Sequence, residues 1–498
     1  MSLSTASAIK VLHVAAEAYP LVKTGGLADV LAGLPQAQVA SGADVRLLLP
    51  GYPAVLAGVE AASVVAEVGP VFGALKVRVL LARMPGSAVP VYVIDAPYLY
   101  RRSGSPYENP EGSAWQDNSQ RFTLLSWLAA HMAAGDVDDA WAPNIVHAHD
   151  WHAALTPAFL AAHGAVPAKS VFTIHNLAFQ GQFSLADAAL LGLPAHQLTA
   201  AGMEFHGQLS FMKAGLVYAD HITTVSPRYA QEITTPELGC GLDGVLRSCG
   251  AKLTGILNGI DTALWNPGTD KDLTHRFDAQ AFQGKQANKR ALQMELGLMP
   301  NSDAMLLTVV SRLTSQKGLD LVLQAMPALM KAGVQFAIQG TGESAMQAAF
   351  KAMQHAHPAQ VSVYIGYDES RAHRLIAGAD VIAVPSRFEP CGLTQLYGQR
   401  YGTLPIVRSV GGLADTVVDA TPERRAANRA SGFTFEAATP AAFEGCVLRA
   451  LACWRSPNEW AHLMRHVMGL DRSWAGPAQQ YLALYARLVG CNDTSRVS

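Results

Sequence analysis

Lys10-Val-Leu-His-Val-Ala-Ala16 has the pattern of a buried β-strand. It is followed by a loop that contains Pro and Gly and then by a helical stretch, Leu27–Val39. Continuous apolar strands that alternate with helices are typical of parallel sheets covered on both faces. The same pattern recurs in two series, at residues 44–50, 90–95, 144–147 and 170–175 and at residues 304–310, 335–339, 361–365, 381–384 and 404–407. Two series predict an α/β protein with two doubly wound units.

The two series meet near residues 252–261, and the chain is then polar and helix-like from Lys271 to Arg290 before strands resume. We place the domain boundary near residue 255, with a first domain at residues 1–254 and a second at residues 255–470. The sequence Gly25-Gly-Leu-Ala-Asp-Val30 recurs as Gly411-Gly-Leu-Ala-Asp-Thr416, and both open a predicted helix. This repeat gives mild support to two related units.

Composition excludes several classes of protein. The 498 residues include 37 Lys and Arg against 39 Asp and Glu, so no basic field for nucleic acid is expected. The six cysteines form no Cys-x-x-Cys pair, which argues against a disulfide framework or a structural zinc site. Residues 1–8 lack the features of a signal peptide, and the apolar stretch Ala153–Ala168 falls short of the roughly 20 residues of a membrane span. We therefore expect a cytoplasmic protein with no membrane or nucleic-acid partner.

The turn at Gly25-Gly26 is a candidate anion site. Glycines let a ligand approach the backbone closely, and the N–H groups at the start of the following helix attract anions. Lys23 adds a positive charge two residues earlier. Neither a Gly-x4-Gly-Lys-Ser/Thr motif nor a Gly-x-Gly-x-x-Gly motif at the first strand is present, which disfavours an NTPase and a nicotinamide dehydrogenase. An ordinary helix-starting turn remains the alternative.

Three loops after strands of the second series carry further polar residues. They span residues 311–318, 340–343 and 385–394. Arg312 and Lys317 lie in the first loop, and Gly392-Leu-Thr394 begins a predicted helix in the third. Guanidinium, ammonium and amide donors all suit a diphosphate, and ligands bind at the carboxyl ends of strands in doubly wound sheets.

The segment His147-Ala-His-Asp-Trp-His152 is open to two interpretations. It is close to a His-x-His-x-Asp-His metal motif, but Trp151 stands where the carboxylate should precede the last histidine. Strand-end histidines held by hydrogen bonds are the favoured alternative. Asp150 lies just beyond a predicted strand and His175 ends the next one, which makes both candidates for an active site.

Several segments together resemble the bacterial glycogen synthase and plant starch synthase family. They occur in the order found in that family, at residues 23–29, 147–152, 173–176, 207–213, 311–318 and 389–395. The resemblance implies a GT-B fold, with two Rossmann-like domains facing across a deep cleft. It implies transfer of glucose from ADP-glucose to the non-reducing end of an α-1,4-glucan such as glycogen, with retention of configuration. It also implies a glucan-binding first domain, a nucleotide-sugar domain, and a segment at residues 471–498 that crosses back to the first domain.

The same resemblance implies roles for individual residues. Arg312 and Lys317 would neutralise the leaving diphosphate in place of a metal, so no metal or cofactor is expected. Asp150 would lie near the anomeric carbon, while His175 and Glu389 would hold glucose hydroxyls. Further substrate-binding residues implied by the family are Lys23, Gly25, Gly26, Asp29, Tyr107, Asn258, Tyr367 (stacked on adenine), Cys391, Gly392, Leu393 and Thr394.

The sequence departs from related enzymes at two positions and leaves some questions open. Tyr397 stands where a Glu-x7-Glu pattern from Glu389 would place its second carboxylate, and His206 replaces the Asn of many relatives. Retention could arise from a covalent intermediate or from same-face attack, and we favour same-face attack because no residue is an unambiguous nucleophile. A metal-dependent hydrolase and a glucan-binding protein without catalysis are the two alternative functions, and UDP-glucose is the alternative donor.

Overall fold

The first strand lies inside a nine-stranded sheet because its side chains are apolar or fully paired on both faces. In β1 (Lys10–Val14), Val11, Leu12 and Val14 are completely buried. The computed structural model describes residues 8–164 and 166–490. These divide into two compact units, one of residues 8–259 and 474–490 and the other Ile260–Ser473. The first residues of the predicted first domain and the end of the predicted C-terminal segment, with Cys491, lie outside the described residues.

The large sheet of the first unit is parallel except at one edge. Its strands run in the order β12-β11-β7-β6-β1-β2-β5-β4-β3, and β4 and β3 pair antiparallel. A small separate sheet has the order β8-β10-β9. Beyond β1, the strands of this unit are β2 (Asp44–Pro50), β3 (Glu60–Val68), β4 (Val77–Arg83), β5 (Pro90–Asp95), β6 (Ile145–His149), β7 (Lys169–Ile174), β8 (Gln182–Ser184), β9 (Glu204–Phe205), β10 (Gln208–Ser210), β11 (His221–Thr224) and β12 (Leu253–Gly255).

Helices cover the large sheet of the first unit. They are α1 (Gly26–Ala40), α2 (Pro53–Gly58), α3 (Pro97–Tyr100), α4 (Asn118–Ala134), α5 (Asp150–Ala153), α6 (Thr156–His163), α7 (Phe211–Tyr218), α8 (Pro227–Glu232), α9 (Asp243–Cys249) and the C-terminal helix Ala475–Gly490. The C-terminal helix packs on α1 at Gly33, where an added Cβ would lie 2.0 Å from Nε1 of Trp474. A glycine at position 33 therefore lets the indole come this close.

The second unit has a single six-stranded sheet in which all strands are parallel, in the order β15-β14-β13-β16-β17-β18. Its strands are β13 (Met305–Val310), β14 (Val334–Gly340), β15 (Val361–Ile365), β16 (Val381–Val384), β17 (Leu404–Arg408) and β18 (Phe433–Phe435). Its helices are α10 (Gln283–Glu295), α11 (Leu319–Ala332), α12 (Ser344–Ala356), α13 (Glu369–Gly378), α14 (Thr394–Arg400), α15 (Gly411–Thr416), α16 (Pro422–Ala426), α17 (Pro440–Trp454) and α18 (Pro457–Met468). Short 3₁₀ turns occur at Leu185–Ala189, Ala195–Gln197, Gly250–Lys252 and Ser315–Lys317.

The prediction of a helix-like stretch from Lys271 to Arg290 was wrong for more than half of its length. Residues 271–282 are not helical, and α10 starts only at Gln283. Asp270 and Asp278 accept backbone N–H bonds from residues two positions later, Asp272 and Gln280, at 2.9 and 2.8 Å. These local side-chain bonds stabilise turns and compete with helix formation. The polar segment therefore forms a looped connection before the helix.

In each unit the strand order reverses beside the first strand of the parallel series. In the first unit β1 lies between β2 and β6, and in the second β13 lies between β14 and β16. Open α/β sheets bind ligands outside the carboxyl ends of the strands at this reversal. The loops after β1 and β6, and those after β13 and β16, are therefore the places to look for a site. They hold most of the candidate residues.

Within residues 8–164 and 166–490, every helix is too short or too polar to traverse a lipid bilayer.

Candidate functional site

The loops after β1, β6 and β7 form the candidate site of the first unit. These strands are neighbours and parallel, with His13 beside His147 and His149 beside Thr173 in register. Their carboxyl ends therefore meet at one edge of the sheet, which brings together the loop of Lys23, Asp150 and His175. Asp150 directly follows β6 and His175 directly follows β7, so both lie at strand ends as predicted, although the strands end at His149 and Ile174 rather than at His147 and His175.

Glu17 holds the Gly-rich loop and was not anticipated from the sequence. Its carboxylate is buried and accepts hydrogen bonds from the N–H of Thr24 at 2.5 Å, the hydroxyl of Thr24 at 2.7 Å and the N–H of Gly25 at 3.3 Å. The hydroxyl of Tyr107 donates a fourth bond. The N–H groups of Thr24 and Gly25 are therefore bonded to a carboxylate of the chain itself, whereas the predicted anion site concerns the N–H groups of the helix that follows. Helix α1 begins at Gly26, as predicted.

Lys23 and Asp29 form an ion pair at the start of α1. Their Nζ and Oδ1 atoms are 3.0 Å apart, and each side chain is about a quarter exposed. An acidic residue in the first turn of a helix is favoured by the helix dipole, and here it also orients the lysine. Asn258 lies half-buried in the loop after β12, in the same unit.

Asp150 is held in an uncommon backbone conformation at the end of β6. Its φ is +57°, a value that non-glycine residues seldom adopt. Its Oδ1 accepts the N–H of His175 at 3.0 Å and of Asn176 at 3.3 Å. Burial raises the pKa of this carboxyl from 3.8 to about 7, although the two N–H donors act in the opposite direction. The group is thus close to half-ionised near neutral pH, as expected of active-site acids and bases.

His175 is bonded to a histidine of the neighbouring strand. Its Nε2 lies 2.9 Å from Nδ1 of His149, and burial lowers the pKa of His175 to about 3. Nε2 of His149 in turn lies 2.9 Å from Nδ1 of His13. His175 is therefore a neutral hydrogen-bonding group in the site.

The structure supports hydrogen-bonded strand-end histidines for the 147–152 segment. His147 bonds the hydroxyls of Tyr485 and Thr173, at 2.7 and 2.5 Å. His13, His147 and His149 do place ligand atoms close together, yet all six of their ring nitrogens have hydrogen-bond partners. His152 is not in this group, because its ring packs among aromatic side chains. The proposed four-residue metal motif is therefore not assembled.

The His152 ring stacks on Tyr107 at 4.6 Å between centroids and touches Phe122 edge-on at 4.9 Å. Its Nδ1 is buried and has no hydrogen-bond partner among residues 8–164 and 166–490. Burial lowers the pKa of His152 well below 6.5, and the same holds for His13, His147, His149 and His175. Five buried neutral histidines make the first unit sensitive to acid, since the unfolded chain binds protons near pH 6.5 that the folded chain excludes.

We expect stability to fall as the pH drops below about 6.5, and the His152→Phe variant to lose less of it. The free energy of unfolding of His152→Phe, minus that of the native protein, should therefore be about 2 kcal/mol higher at pH 5 than at pH 7. Urea unfolding at both pH values measures this difference. His355→Asn, at an exposed position in α12, is the control. An identical pH dependence in His152→Phe and the native protein would contradict the prediction.

Lys317 and Glu389 form the centre of the candidate site in the second unit. Their Nζ and Oε2 atoms are 2.6 Å apart, and the hydroxyl of Ser386 donates to the same Oε2 at 2.8 Å. Lys317 follows β13 and Glu389 follows β16, the two strands at the reversal. Gly318 makes the approach possible, since its φ is +68° and an added Cβ would lie 2.0 Å from the carbonyl oxygen of Pro385.

Arg387 fastens the two loops to each other. Its guanidinium donates to both carboxylate oxygens of Asp320 at 2.7 Å and to the carbonyl of Ser315 at 2.5 Å. The backbone N–H of Arg387 donates to the carbonyl of Gln316 at 2.8 Å. Arg312 is exposed on the same loop, with one long contact of 3.4 Å to Oε1 of Gln316. The charge of Arg312 is therefore directed mainly to solvent.

The segment Cys391–Thr394 lies against the turn at Gly411-Gly412. An added Cβ at Gly412 would lie 2.3 Å from the carbonyl oxygen of Cys391, and the N–H of Gly412 donates to the carbonyl of Glu389 at 3.1 Å. Cys391 is buried, and Leu393 precedes the start of α14 at Thr394, as predicted. Gly392 has a φ of +71°. Tyr367 follows β15 and is 63% exposed, so its ring is available for stacking.

Two residues of these sites could have been found from the sequence by one rule. Glu17 and Arg387 each stand within three residues of a predicted strand end, where charged side chains reach the ligand edge of the sheet. In the structure, both side chains instead hold loops of the chain in place by hydrogen bonds to backbone groups. That distinction depends on contacts between distant segments.

Two family models match the chain. The model described as starch synthase catalytic domain matches residues 10–248, and the model described as glycosyl transferases group 1 matches residues 298–465. Curated proteins named glycogen synthase from Serratia proteamaculans (strain 568) and from Yersinia enterocolitica are each 52% identical to this chain over 482 residues. Each match covers 96% of this chain and 100% of the relative.

Two solved structures are similar to this chain in fold over nearly its whole length. The catalytic domain of starch synthase IV from Arabidopsis thaliana, bound to ADP and acarbose, is 34% identical, with a TM-score of 0.88, over 97% of this chain and 100% of that one. Sucrose-phosphate synthase from Thermosynechococcus elongatus, 18% identical with a TM-score of 0.57 over 97% of this chain and 100% of that one, shares the fold.

Two parallel α/β units with charged loops at their strand reversals, together with these matches, define a glycosyltransferase of the GT-B class. Within that class, the chain belongs to the glycogen synthase and starch synthase family.

Proposed function

We propose that this protein catalyses the glycogen synthase reaction: it transfers glucose from ADP-glucose to the non-reducing end of an α-1,4-glucan and retains the configuration of the anomeric carbon. The observation that carries the proposal is 52% identity to proteins named glycogen synthase over their full length. ADP bound to the similar starch synthase IV supports an adenine nucleotide. We assign the glucan to residues 1–254, the nucleotide sugar to residues 255–470, and the place of action to the cytoplasm.

Arg312 and Lys317 neutralise the diphosphate as it leaves. The bond between the anomeric carbon and the phosphate oxygen breaks, and the acceptor O4 forms the new bond on the same face of the sugar. The acceptor hydroxyl proton passes to the departing phosphate oxygen, so no further base is required. Preorganised cations stabilise the charge that develops on this oxygen, which is the largest single contribution in many enzymes. Amide groups at Gly392–Thr394 add to the same stabilisation.

Asp150, His175 and Glu389 act on the glucosyl group. The Asp150 carboxylate stabilises the positive charge that develops at the anomeric carbon, and its raised pKa keeps part of the population protonated at neutral pH. His175 bonds one glucose hydroxyl. Glu389 bonds other hydroxyls with the oxygen lone pairs that Lys317 and Ser386 leave open.

The remaining candidates bind substrate away from the reacting atoms. Tyr367 stacks on adenine, and the Gly25-Gly26 turn lies near the diphosphate. In the part of the chain that the structure describes, nothing outside the turn lies within 4 Å of an added Cβ at Gly25, so that side of the turn has room for a ligand. The other substrate contacts that we propose are Lys23, Asp29, Tyr107, Asn258, Cys391 and Leu393.

Glycogen incubated with purified protein and labelled ADP-glucose or UDP-glucose tests the proposal. We expect label to enter glycogen faster from ADP-glucose, and β-amylase to release it as labelled maltose. Release by this enzyme reports an α-1,4 bond at the non-reducing end. No incorporation from either donor would favour a glucan-binding protein, and faster incorporation from UDP-glucose would overturn the choice of nucleotide.

Glu17→Ala should loosen the loop that carries Lys23. Four hydrogen bonds to a buried carboxylate are lost, and small misplacements of substrate-binding groups can cost about 100-fold in rate. We therefore expect kcat/KM for ADP-glucose to fall by about 100-fold. Steady-state kinetics against Glu60→Ala, at an exposed position in β3, provide the comparison. Unchanged kcat/KM in Glu17→Ala would show that the loop holds its shape without this carboxylate.

A further inference from the structure

A continuous chain of hydrogen bonds leads from helix α1 to His175. Oε1 of Gln38 lies 2.7 Å from Nε2 of His13, whose Nδ1 lies 2.9 Å from Nε2 of His149. Nδ1 of His149 lies 2.9 Å from Nε2 of His175. Gln38, His13 and His149 are all completely buried, so no water competes for these bonds.

Each histidine of the chain carries only one ring proton at neutral pH. Burial lowers the pKa of His13 to about 4 and of His175 to about 3, and lowers that of His149 well below 6.5. A neutral imidazole has one N–H donor and one acceptor nitrogen. Every bond between two such rings therefore fixes which nitrogen holds the proton in the next ring.

The orientation of the Gln38 amide sets the direction of the whole chain. Its Nε2 lies 3.2 Å from the hydroxyl oxygen of Tyr485. That distance is within the range for an amide N–H donor but beyond the usual range for a hydroxyl donor, while 2.7 Å at the other end suits an N–H that donates to a carbonyl oxygen. Tyr485 in turn can give its own proton to Nδ1 of His147 at 2.7 Å. The carbonyl oxygen of Gln38 therefore faces His13.

We propose that Gln38 is a positioning residue that fixes His175 in the tautomer with the proton on Nε2. Because the Gln38 oxygen only accepts, His13 donates from Nε2 and accepts at Nδ1. His149 then donates from Nε2 and accepts at Nδ1, so His175 donates from Nε2. The Nδ1 of His175 is left with a lone pair.

This tautomer decides what His175 can do to a sugar. On the function proposed above, the Nδ1 lone pair accepts a hydrogen bond from a hydroxyl of the donor glucose. The opposite tautomer would present an N–H there and would require the hydroxyl to accept. Rotation of the Gln38 amide by half a turn would reverse every bond of the chain, so a side chain in α1 controls the hydrogen bonding of His175, three hydrogen bonds away.

Nitrogen-15 NMR of histidine-labelled protein tests the tautomer directly, with the His175 signals assigned from a His175→Gln sample. We expect a protonated Nε2 and an unprotonated Nδ1 at His175 in the native protein and in Gln38→Glu, whose carboxylate can only accept. Gln38→Met should give a mixture of the two His175 tautomers. Gln36→Met, at an exposed position of the same helix, should show the same single tautomer as the native protein. A protonated Nδ1 at His175 in the native protein would overturn the proposal without any variant.

Kinetics separate this role from a structural one. Gln38→Met should raise KM for ADP-glucose about tenfold, the cost of one misdirected hydrogen bond, with KM for glycogen unchanged. Gln38→Glu should restore it. A rise in both KM values with an unchanged His175 spectrum would assign Gln38 a packing role only. If the native protein transfers no glucose but the NMR result holds, the proposed function fails and the assignment of the tautomer stands.

Discussion

Arg312→Ala should lower kcat for glucose transfer by roughly 10²–10³-fold, the usual loss when one preorganised group that stabilises transition-state charge is removed. Stability should hardly change, because Arg312 is exposed and the contact of its guanidinium with Gln316 is long, at 3.4 Å. Initial rates at saturating ADP-glucose and glycogen measure the effect, and thermal unfolding measures the stability. Arg290→Ala, at an exposed position in α10, should keep the native rate.

Lys317→Ala should show a similar loss of kcat together with a loss of stability. Its ammonium group lies 2.6 Å from the Glu389 carboxylate, which is only 8% exposed and would keep Ser386 as its remaining side-chain partner. Removing one partner of a buried ion pair leaves an uncompensated charge. Near-native kcat in both Arg312→Ala and Lys317→Ala would remove the argument that fixed cations stabilise the leaving group.

Asp150→Asn should reduce kcat by roughly 10²–10³-fold while the fold persists, on the same electrostatic argument. Asparagine tolerates the positive φ of +57° at this position, and its amide oxygen can still accept the N–H bonds from His175 and Asn176. The substitution then removes only the negative charge that we propose acts near the anomeric carbon. Circular dichroism and kcat of the purified variant test both parts.

The pH profile provides an independent check on Asp150. Since burial raises the pKa of this carboxyl to about 7 and the ionised form is the one that stabilises positive charge, native kcat should rise as the pH increases through 7. Asp150→Asn should lack that rise in its residual activity. A native rate in Asp150→Asn, or the same pH dependence in both proteins, would contradict the role assigned to the carboxylate.

Ten of the thirteen parallel strands were predictable because they are short apolar runs, most of them buried on both faces, whereas the three- and four-residue strands β11, β12 and β18 were not predicted. The runs at residues 44–50, 90–95, 361–365 and 381–384 match observed strands at both ends. Strands β3 and β4 escaped notice, because β3 lies at the edge of the sheet with mostly exposed or half-buried side chains. In β4, buried positions are mixed with half-buried ones, so neither strand has the continuous burial that is typical of the parallel strands.

The candidate site was predictable to the extent that strand ends fix it. Asp150, His175, Arg312 and Lys317 all follow strands, so their neighbourhood within each unit followed from the parallel order alone. The part that could not be predicted consists of long-range contacts. No local pattern in the sequence links Gln38 to His175, because the connection passes through His13 in β1 and His149 in β6, two strands that only the folded sheet makes adjacent.

On the proposed function, Arg312 and Lys317 supply the positive charge that divalent ions supply in some other glycosyltransferases. The most direct measurement is the initial rate of glucose transfer from labelled ADP-glucose to glycogen, with and without excess EDTA, after the protein has been dialysed against the chelator. We predict equal rates under both conditions and no stimulation by added Mg²⁺ or Mn²⁺. A rate that collapses in EDTA and returns when one of these ions is added would contradict the account.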